Sequence, residues 1–508
     1  MSVDPNENHC CTSVDELKYY LSQGYKNFIG SYFLDGGSLA GVDMNGCNFA
    51  SDSFHDQIIT NGVIVPNAVY VQTTFQYTDF TNANLGNVKF IQTSFLSCKL
   101  NNADLTYADL TGAGFGFPYD PATYCCDLSG ANLSGTNLKD TYLKLADLSN
   151  TDLTNITNLA SARLEAANFS NAKFSNMNLT KFNLNCTNLS GANLDNCNLN
   201  SANLSSATLT GANLNNVNFF STNLTSTNLS NTDLTTTMNL NMATIADTNF
   251  SSTILSGVNL DNSELQGLNF SHTTAIGASF MSANFTNANF GDATLQNANL
   301  HSTILSGANF SNADLTNAQL GSCDLSNSNF SNAKLIRANL IGAIVSVSEN
   351  NNRGTIFDNA NLSRASFTGA NLDNASFVNA IFNGVTDLVA SKNLWTANFQ
   401  GADFTDATLD SIVLSNKNLS NTNFTGSFLE SANFSDGNLN NSNFTSADLK
   451  SANFTNADLT NANFTGSDLK SADFTNANLT NANFTGANVI NATFTGANTT
   501  GTIGLYSN

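Results

Sequence analysis

Residues Ala447–Gly466 (ADLKSANFTNADLTNANFTG) and Ser467–Gly486 (SDLKSADFTNANLTNANFTG) are one 20-residue string written twice, identical at 17 positions. Within each copy the pattern restarts every five residues: a small residue, Asn or Asp, Leu or Phe, then two polar residues. An amphipathic helix repeats its apolar face at about 3.6 residues and a half-buried strand at about 2, so neither element fits. From Leu394 to Phe494, 21 large apolar residues follow one another at steps of five. Two residues before each stands mostly Ala, Ser or Thr, as at Ala452, Ala457, Ala462 and Ser467. One large and one small inward residue in five suit a chain that turns a corner at every unit.

Four corners close a coil of 20 residues. From Phe424 to Phe484 the large residue alternates Phe, Leu, Phe, Leu through 13 units. In a four-sided coil this stacks Phe on Phe along two opposite sides and Leu on Leu along the other two. Stacked rings and matched aliphatics fill such a narrow interior well, and each buried Leu or Phe contributes roughly 1.5–3 kcal/mol.

With its A(D/N)LXX units, the chain resembles the pentapeptide-repeat family from about Asn27 to Thr499. The resemblance implies an all-β solenoid, a right-handed quadrilateral β-helix with Leu or Phe and the small residue inside. At about 20 residues per coil and a strand spacing of ~4.8 Å, about 23 coils would make a rod on the order of 110 Å long.

Register shifts divide the chain. Residues 1–26 form an N-terminal cap and 27–115 the first part of the β-helix, interrupted near 55–69. A loop at 116–127 precedes the central part, 128–345, with one-residue insertions near Thr154–Leu159 and Thr235–Leu240. A second loop, 346–356, precedes the C-terminal part, 357–499, interrupted near 383–396, and a tail runs over 500–508. Insertions in repeat arrays map to loops. Trp395, the sole Trp, sits at one break, where a packing role is expected.

Solenoid ends expose core and unpaired edges. Ser13-Val-Asp-Glu16 is a capping-box pattern before a short helix at about Val14–Ser22, stopped by Gly24. At the other end Ile503, Leu505 and Tyr506 are placed either to fold over the last coil or to meet a second copy in a homodimer.

Little in the chain points to chemistry. His9, His55, His272 and His301 have no zinc-like spacing, and His9-Cys10-Cys11 reads as a frayed terminus rather than a metal site. No phosphate-binding loop, dinucleotide fingerprint or nucleophile elbow occurs. An enzyme, a cofactor or a metal is therefore not expected. Of nine Cys, Cys47, Cys98, Cys197 and Cys323 take the small inward position, where Cys replaces Ala. The start, MSVDPNENHCC, lacks the features of a secretory signal, and no run approaches 18 apolar residues. Cytoplasmic residence is the expectation, inside a cell or in a particle. The frequent Asn-Phe-Thr and Asn-Leu-Ser triplets follow from the repeat itself and say little about glycosylation.

Net charge is −21, which argues against binding nucleic acid or an anionic membrane. Acidic members of the resembled family mimic duplex DNA and occupy the DNA groove of type II topoisomerases. Duplex DNA carries one charge per ~1.7 Å, so a rod of ~110 Å would need roughly 65. The densest acids lie between Asp104 and Asp152, and Asp104, Asp109, Asp127, Asp147 and Asp152 form the candidate acidic surface. The reading that follows is a non-catalytic scaffold mediating protein–protein interaction or forming part of a larger assembly. The alternative is a DNA-mimicking inhibitor or protector of a type II topoisomerase, which requires those acids along one face.

Overall fold

One short parallel bridge and one tight turn make up each five-residue unit, and the unit Ala452–Asn456 is representative. Asn453 bridges Asp473, 20 residues on. Its side-chain Oδ1 accepts the N–H of Thr455 at 2.9 Å and the Thr455 hydroxyl at 2.6 Å, an Asx-type cap that starts the corner. Asn456 then adopts φ 59°, and the Ala457 N–H closes the turn on the Phe454 carbonyl at 3.0 Å. A left-handed residue in nearly every described unit explains why the fifth position is so often Asn or Gly, which tolerate that conformation best, with the small Ser the other common occupant. Ala452 and Phe454 point inward and are fully buried.

The computed structural model describes residues 4–33, 36–50, 59–60, 63–64, 73–116, 125–345 and 354–505. Most of the expected 55–69 interruption, the centres of both loops (117–124 and 346–353) and Tyr506 lie outside the described residues. The chain forms two compact units, Met1–Asn249 and Phe250–Asn508.

In the first unit, α1 (Val14–Ser22) stands as expected. Ser13 Oγ accepts the Glu16 N–H at 3.2 Å, while the Glu16 carboxylate turns back to the Thr12 N–H at 2.9 Å. Gly24 follows at φ 90°. Val14 and Leu17 seal the first coil. The preceding segment is not frayed. Asn8 bridges Asn27, Cys11 is fully buried, and the His9 ring lies 4.2 Å from Tyr20 and 4.0 Å from Tyr25. The aromatic sandwich supplies burial that the bare sequence of the terminus does not advertise. Beyond it, β1 (Tyr32–Phe33) pairs in parallel with β2 (Thr74–Gln76), then β3 (Ser94–Leu96) and β4 (Gly114–Phe115). Behind these strands Phe33, Phe75, Phe95 and Phe115 stack at 4.7–5.5 Å. Both one-residue insertions are absorbed as 3-10 turns, at Leu159–Ser161 and Leu240–Met242, each begun by a left-handed Asn. Leu159 and Leu240 stay in the core.

In the second unit one file of rings runs Phe250, Phe270, Phe290, Phe310, Phe330, Phe357, Phe377, Phe399, with centroids 4.8–5.2 Å apart. Asn329 bridges Ile356 and Ser376 bridges Asn398, so the file keeps its order across both register breaks. Farther along, Phe404 to Phe484 and Phe434 to Phe494 form two more files, with edge contacts of 5.5–6.1 Å between them.

The expected boundaries move at several places. Cys126 and Asp127, expected in a loop, belong to a coil, since Cys126 is buried and Asp127 bridges Lys99. Thr355 and Ile356 likewise resume the array, and Asn383–Val385 continue it. The true break there is Asp387–Thr396, two 3-10 turns at Leu388–Ala390 and Leu394–Thr396. Leu394 is only half-buried, so the regular run starts at Phe399. Trp395 is 68% exposed, against the packing role expected of it. The left-handed Asn393 begins a turn that throws the indole outward. Thr500–Ile503, expected as tail, still follow the repeat, for Ile503 bridges Asn483.

Cys11, Cys47, Cys98, Cys126, Cys197 and Cys323 are buried, whereas Cys10, Cys125 and Cys186 are exposed. Burial pushes the Cys47, Cys197 and Cys323 thiols up to about 11 and Cys11 up to about 12. Native protein at mild pH is therefore expected to release three thiols quickly to Ellman's reagent and the other six only on unfolding. Because the Cys11, Cys47, Cys197 and Cys323 thiols titrate above the unfolded value of about 8.5, their contribution to stability is present below that value. It is lost as pH rises through the folded values.

Candidate functional site

The five candidate aspartates all occupy the Asn/Asp position of the repeat, so the fold gives each the same local task. Asp104, Asp109, Asp127, Asp147 and Asp152 accept the N–H of Thr106, Thr111, Ser129, Ser149 and Thr154 at 2.9–3.1 Å. Each starts a corner just as Asn453 does. Asp109 and Asp147 also accept side-chain amides of the next coil, from Asn137 at 2.9 Å and Asn168 at 3.0 Å. The acid thus replaces Asn in a structural role.

Their placement follows from the bridges. Asp104 bridges Asn84 and Asn132, Asp109 bridges Lys89 and Asn137, and Asp127 lies between Lys99 and Asp147. Asp152 bridges Lys173, whose ammonium stands 3.6 Å from its carboxylate. Only Asp127 and Asp147 adjoin one another, and the five divide among at least three of the four columns of a coil. Lys99 and Lys173 interrupt the acidic columns further. All but Asp152 are half-buried.

Several carboxyls of this type titrate below the ordinary range. The Thr81 hydroxyl and N–H lower Asp79, and those of Thr475 lower Asp473. At Asp152 and Asp314 burial pulls upward, but bonds from Thr154 and Thr316, with Lys173 and Lys334 nearby, more than offset it. Folded values below the unfolded ~3.9 mean stability that is present above that pH and lost as pH falls through the folded values. The urea midpoint is expected to hold between pH 7 and 5 and to fall below about pH 4. Asp473→Asn should keep the corner and flatten its share of that fall.

The C-terminal candidates sit on the last described coil. Val489 and Phe494, which hold inward positions, are only half-buried there, while Phe474 and Phe484 before them are sealed. Ile503 is 59% exposed and Leu505 half-buried. Among the described residues no group of three His, Cys, Asp or Glu side chains is placed to hold a metal ion, and no helix is long and apolar enough to cross a membrane.

A family model described as pentapeptide repeats (8 copies) matches residues 78–115, 126–157, 162–200, 197–235, 245–280, 283–320, 313–346, 353–384, 397–436, 429–466 and 462–501, well over half the chain. The chain belongs to the pentapeptide-repeat family. No curated protein matches it. Among solved structures it is similar to HetL, a pentapeptide repeat protein involved in heterocyst differentiation regulation from the cyanobacterium Nostoc sp. strain PCC 7120. The identity is 24%, covering 50% of this chain and 92% of HetL, with a TM-score of 0.23. Full-length QnrB1, a plasmid-mediated fluoroquinolone resistance protein, is 15% identical over 49% of this chain and 90% of its own, TM-score 0.17. Rfr23, a pentapeptide repeat protein from the cyanobacterium Cyanothece 51142, is 21% identical over 28% of this chain and 86% of its own, TM-score 0.12.

Sequence reasoning took the two residues after each Leu or Phe simply as polar, and so missed the turn chemistry. The signal was present in the recurrent Thr-Asn, Ser-Asn and Thr-Gly pairs. It also missed Lys417, which holds an inward position and donates its ammonium to the Ala397 carbonyl at 2.8 Å, where the 3-10 turn ends.

Proposed function

We propose that this pentapeptide-repeat protein is a non-catalytic scaffold whose last coil docks a second copy of the chain. The observation that carries the reading is the incomplete cover of Val489 and Phe494 beside the exposed Ile503, at a coil whose predecessors are all sealed. The first coil, by contrast, is closed by α1. We infer likewise, from the family resemblance, that the coil is right-handed and square in section.

Light scattering on the purified chain tests the docking. A mass twice the 53.8 kDa of one chain is expected, falling to a monomer in Phe494→Asp with its circular dichroism retained. A monomeric native chain would overturn the second copy as occupant.

DNA mimicry is not favoured, because the five candidate acids divide among columns and are engaged in corner hydrogen bonds. The protein is accordingly expected to leave supercoiling by a bacterial type II topoisomerase unaffected at micromolar concentration. Salt-sensitive inhibition, lost when Asp104, Asp109, Asp147 and Asp152 become Asn, would reverse the preference.

A further inference from the structure

Arginine is scarce in this acidic chain, which has only Arg163, Arg337, Arg353 and Arg364. Two of these four occupy one column on successive coils. The N–H of Arg337 bonds the Ser363 carbonyl at 2.9 Å, and the N–H of Arg364 bonds the Asn383 carbonyl at 3.0 Å. The column continues through Gly384 to Asp406, with the Gly384 N–H on the Thr405 carbonyl.

Both arginines take the left-handed corner position, each at φ 56°, where Asn or Gly would sit without strain. Both side chains are exposed. Among the described residues neither guanidinium makes a hydrogen bond or an ion pair. A Cβ built on Gly384 would lie 3.5 Å from Cγ and 3.7 Å from Nε of Arg364. The arginine stem therefore lies across the space that this glycine leaves open. Arg337, Ser363, Arg364, Gly384 and Asp406 line a notch of about 330 Å³.

We propose that this notch binds a carboxylate, presented by an acidic side chain or a chain terminus of a protein partner. Neighbouring coils are about 4.8 Å apart, so the two arginine stems rise from adjacent levels of one column and both line the notch, where two planar forks can share one anionic group better than ammonium groups would. Two guanidinia and the Asp406 carboxylate leave the notch one net positive charge, matched by a singly charged carboxylate. A phosphate dianion would meet Asp406, and a nucleic acid would meet the chain's net −21. The source of the carboxylate rests on the scaffold reading above. The anion site does not, so the two can fail separately.

With only four arginines, the ¹⁵N-arginine-labelled chain should give four Nε–H resonances, assigned with Arg337→Asn and Arg364→Asn. Asn suits the left-handed corner, so both variants are expected to fold, with circular dichroism as the check. Titrants are sodium acetate, inorganic phosphate, sodium chloride at matched ionic strength, and three pentapeptides. One carries a Glu with capped ends, one a free C-terminus and no acid, and one neither. The Arg337 and Arg364 signals are expected to shift saturably with acetate, ahead of phosphate, and with at least one carboxylate peptide. Either single variant should raise the acetate half-saturation by about tenfold or more. Asp406→Asn should improve phosphate binding. A uniform drift of all four signals with ionic strength would overturn the site. Saturation by phosphate below the acetate concentration would overturn the carboxylate assignment. A response to acetate but to neither carboxylate peptide would overturn the protein source.

Discussion

Replacing Phe310 by Ala is expected to lower the stability of the Phe250–Asn508 unit by about 3–5 kcal/mol, read as a fall in the urea midpoint. Phe310 is fully buried between Phe290 at 4.9 Å and Phe330 at 4.8 Å. The coils on either side cannot close over the gap, because their spacing is fixed by backbone bridges such as Asn309 to Asn329. Each coil also supports its neighbours, so the loss is felt beyond one repeat. Phe428 provides the control. It stands at a bridge position, faces outward and is 51% exposed. Phe428→Ala should change stability by no more than about 0.5 kcal/mol. Equal losses in the two variants would show that the ring file is not what holds the unit together.

Asp387→Ala is the second substitution with a large expected effect. At the break Asp387–Thr396 the Phe367 N–H bonds no carbonyl of the next coil among the described residues, and Thr368 follows Ser366, which stands where Asn or Asp caps the turn in other units. The Asp387 carboxylate takes their N–H groups instead, at 2.9–3.0 Å, along with the Thr368 hydroxyl at 2.5 Å. Losing a charged acceptor that serves three donors should cost about 3 kcal/mol. Asp387→Asn should recover roughly half of it, since one oxygen remains to accept. Thermal unfolding of the two variants beside the native chain decides the matter. An unchanged midpoint for the Ala variant would mean that water satisfies these groups equally well.

The core was the most legible part of the chain. A step of five with a large and a small residue in fixed places defines what faces inward, and the Phe–Leu alternation anticipates which rings stack. Boundaries were harder to place, because an interruption in the pattern does not say where the backbone first leaves its register. At 116–127 and 346–356 the pattern looked broken a few residues longer than the coil is, since Cys126 and Thr355 are each the first inward residue after the interruption, with no unit of the pattern before them to set the register. Asp387 could not be found from spacing at all. Its task is to replace a backbone group, and only the missing carbonyl reveals it. The candidate acids show a related ambiguity. Asp and Asn are interchangeable as corner caps, so the density of Asp along the chain reports turn chemistry as much as any surface for a partner. The arginine notch is invisible in sequence because Arg337 and Arg364 stand 27 residues apart rather than 20, seven more than one regular circuit.

Bridges joining residues 20 apart also govern how a chain like this changes length. Loss or duplication of a segment such as Ser467–Gly486 removes or adds one full circuit, and every file downstream keeps its identity. Gain or loss of five residues is a different event: each later unit moves to the next side, and Phe comes to rest on Leu throughout the remainder. A single added residue does neither, since the corners at Leu159–Ser161 and Leu240–Met242 take it up locally. Such a chain can grow by whole circuits and tolerate stray residues at its corners, while a slip of one unit would have to be repaired along its whole remaining length.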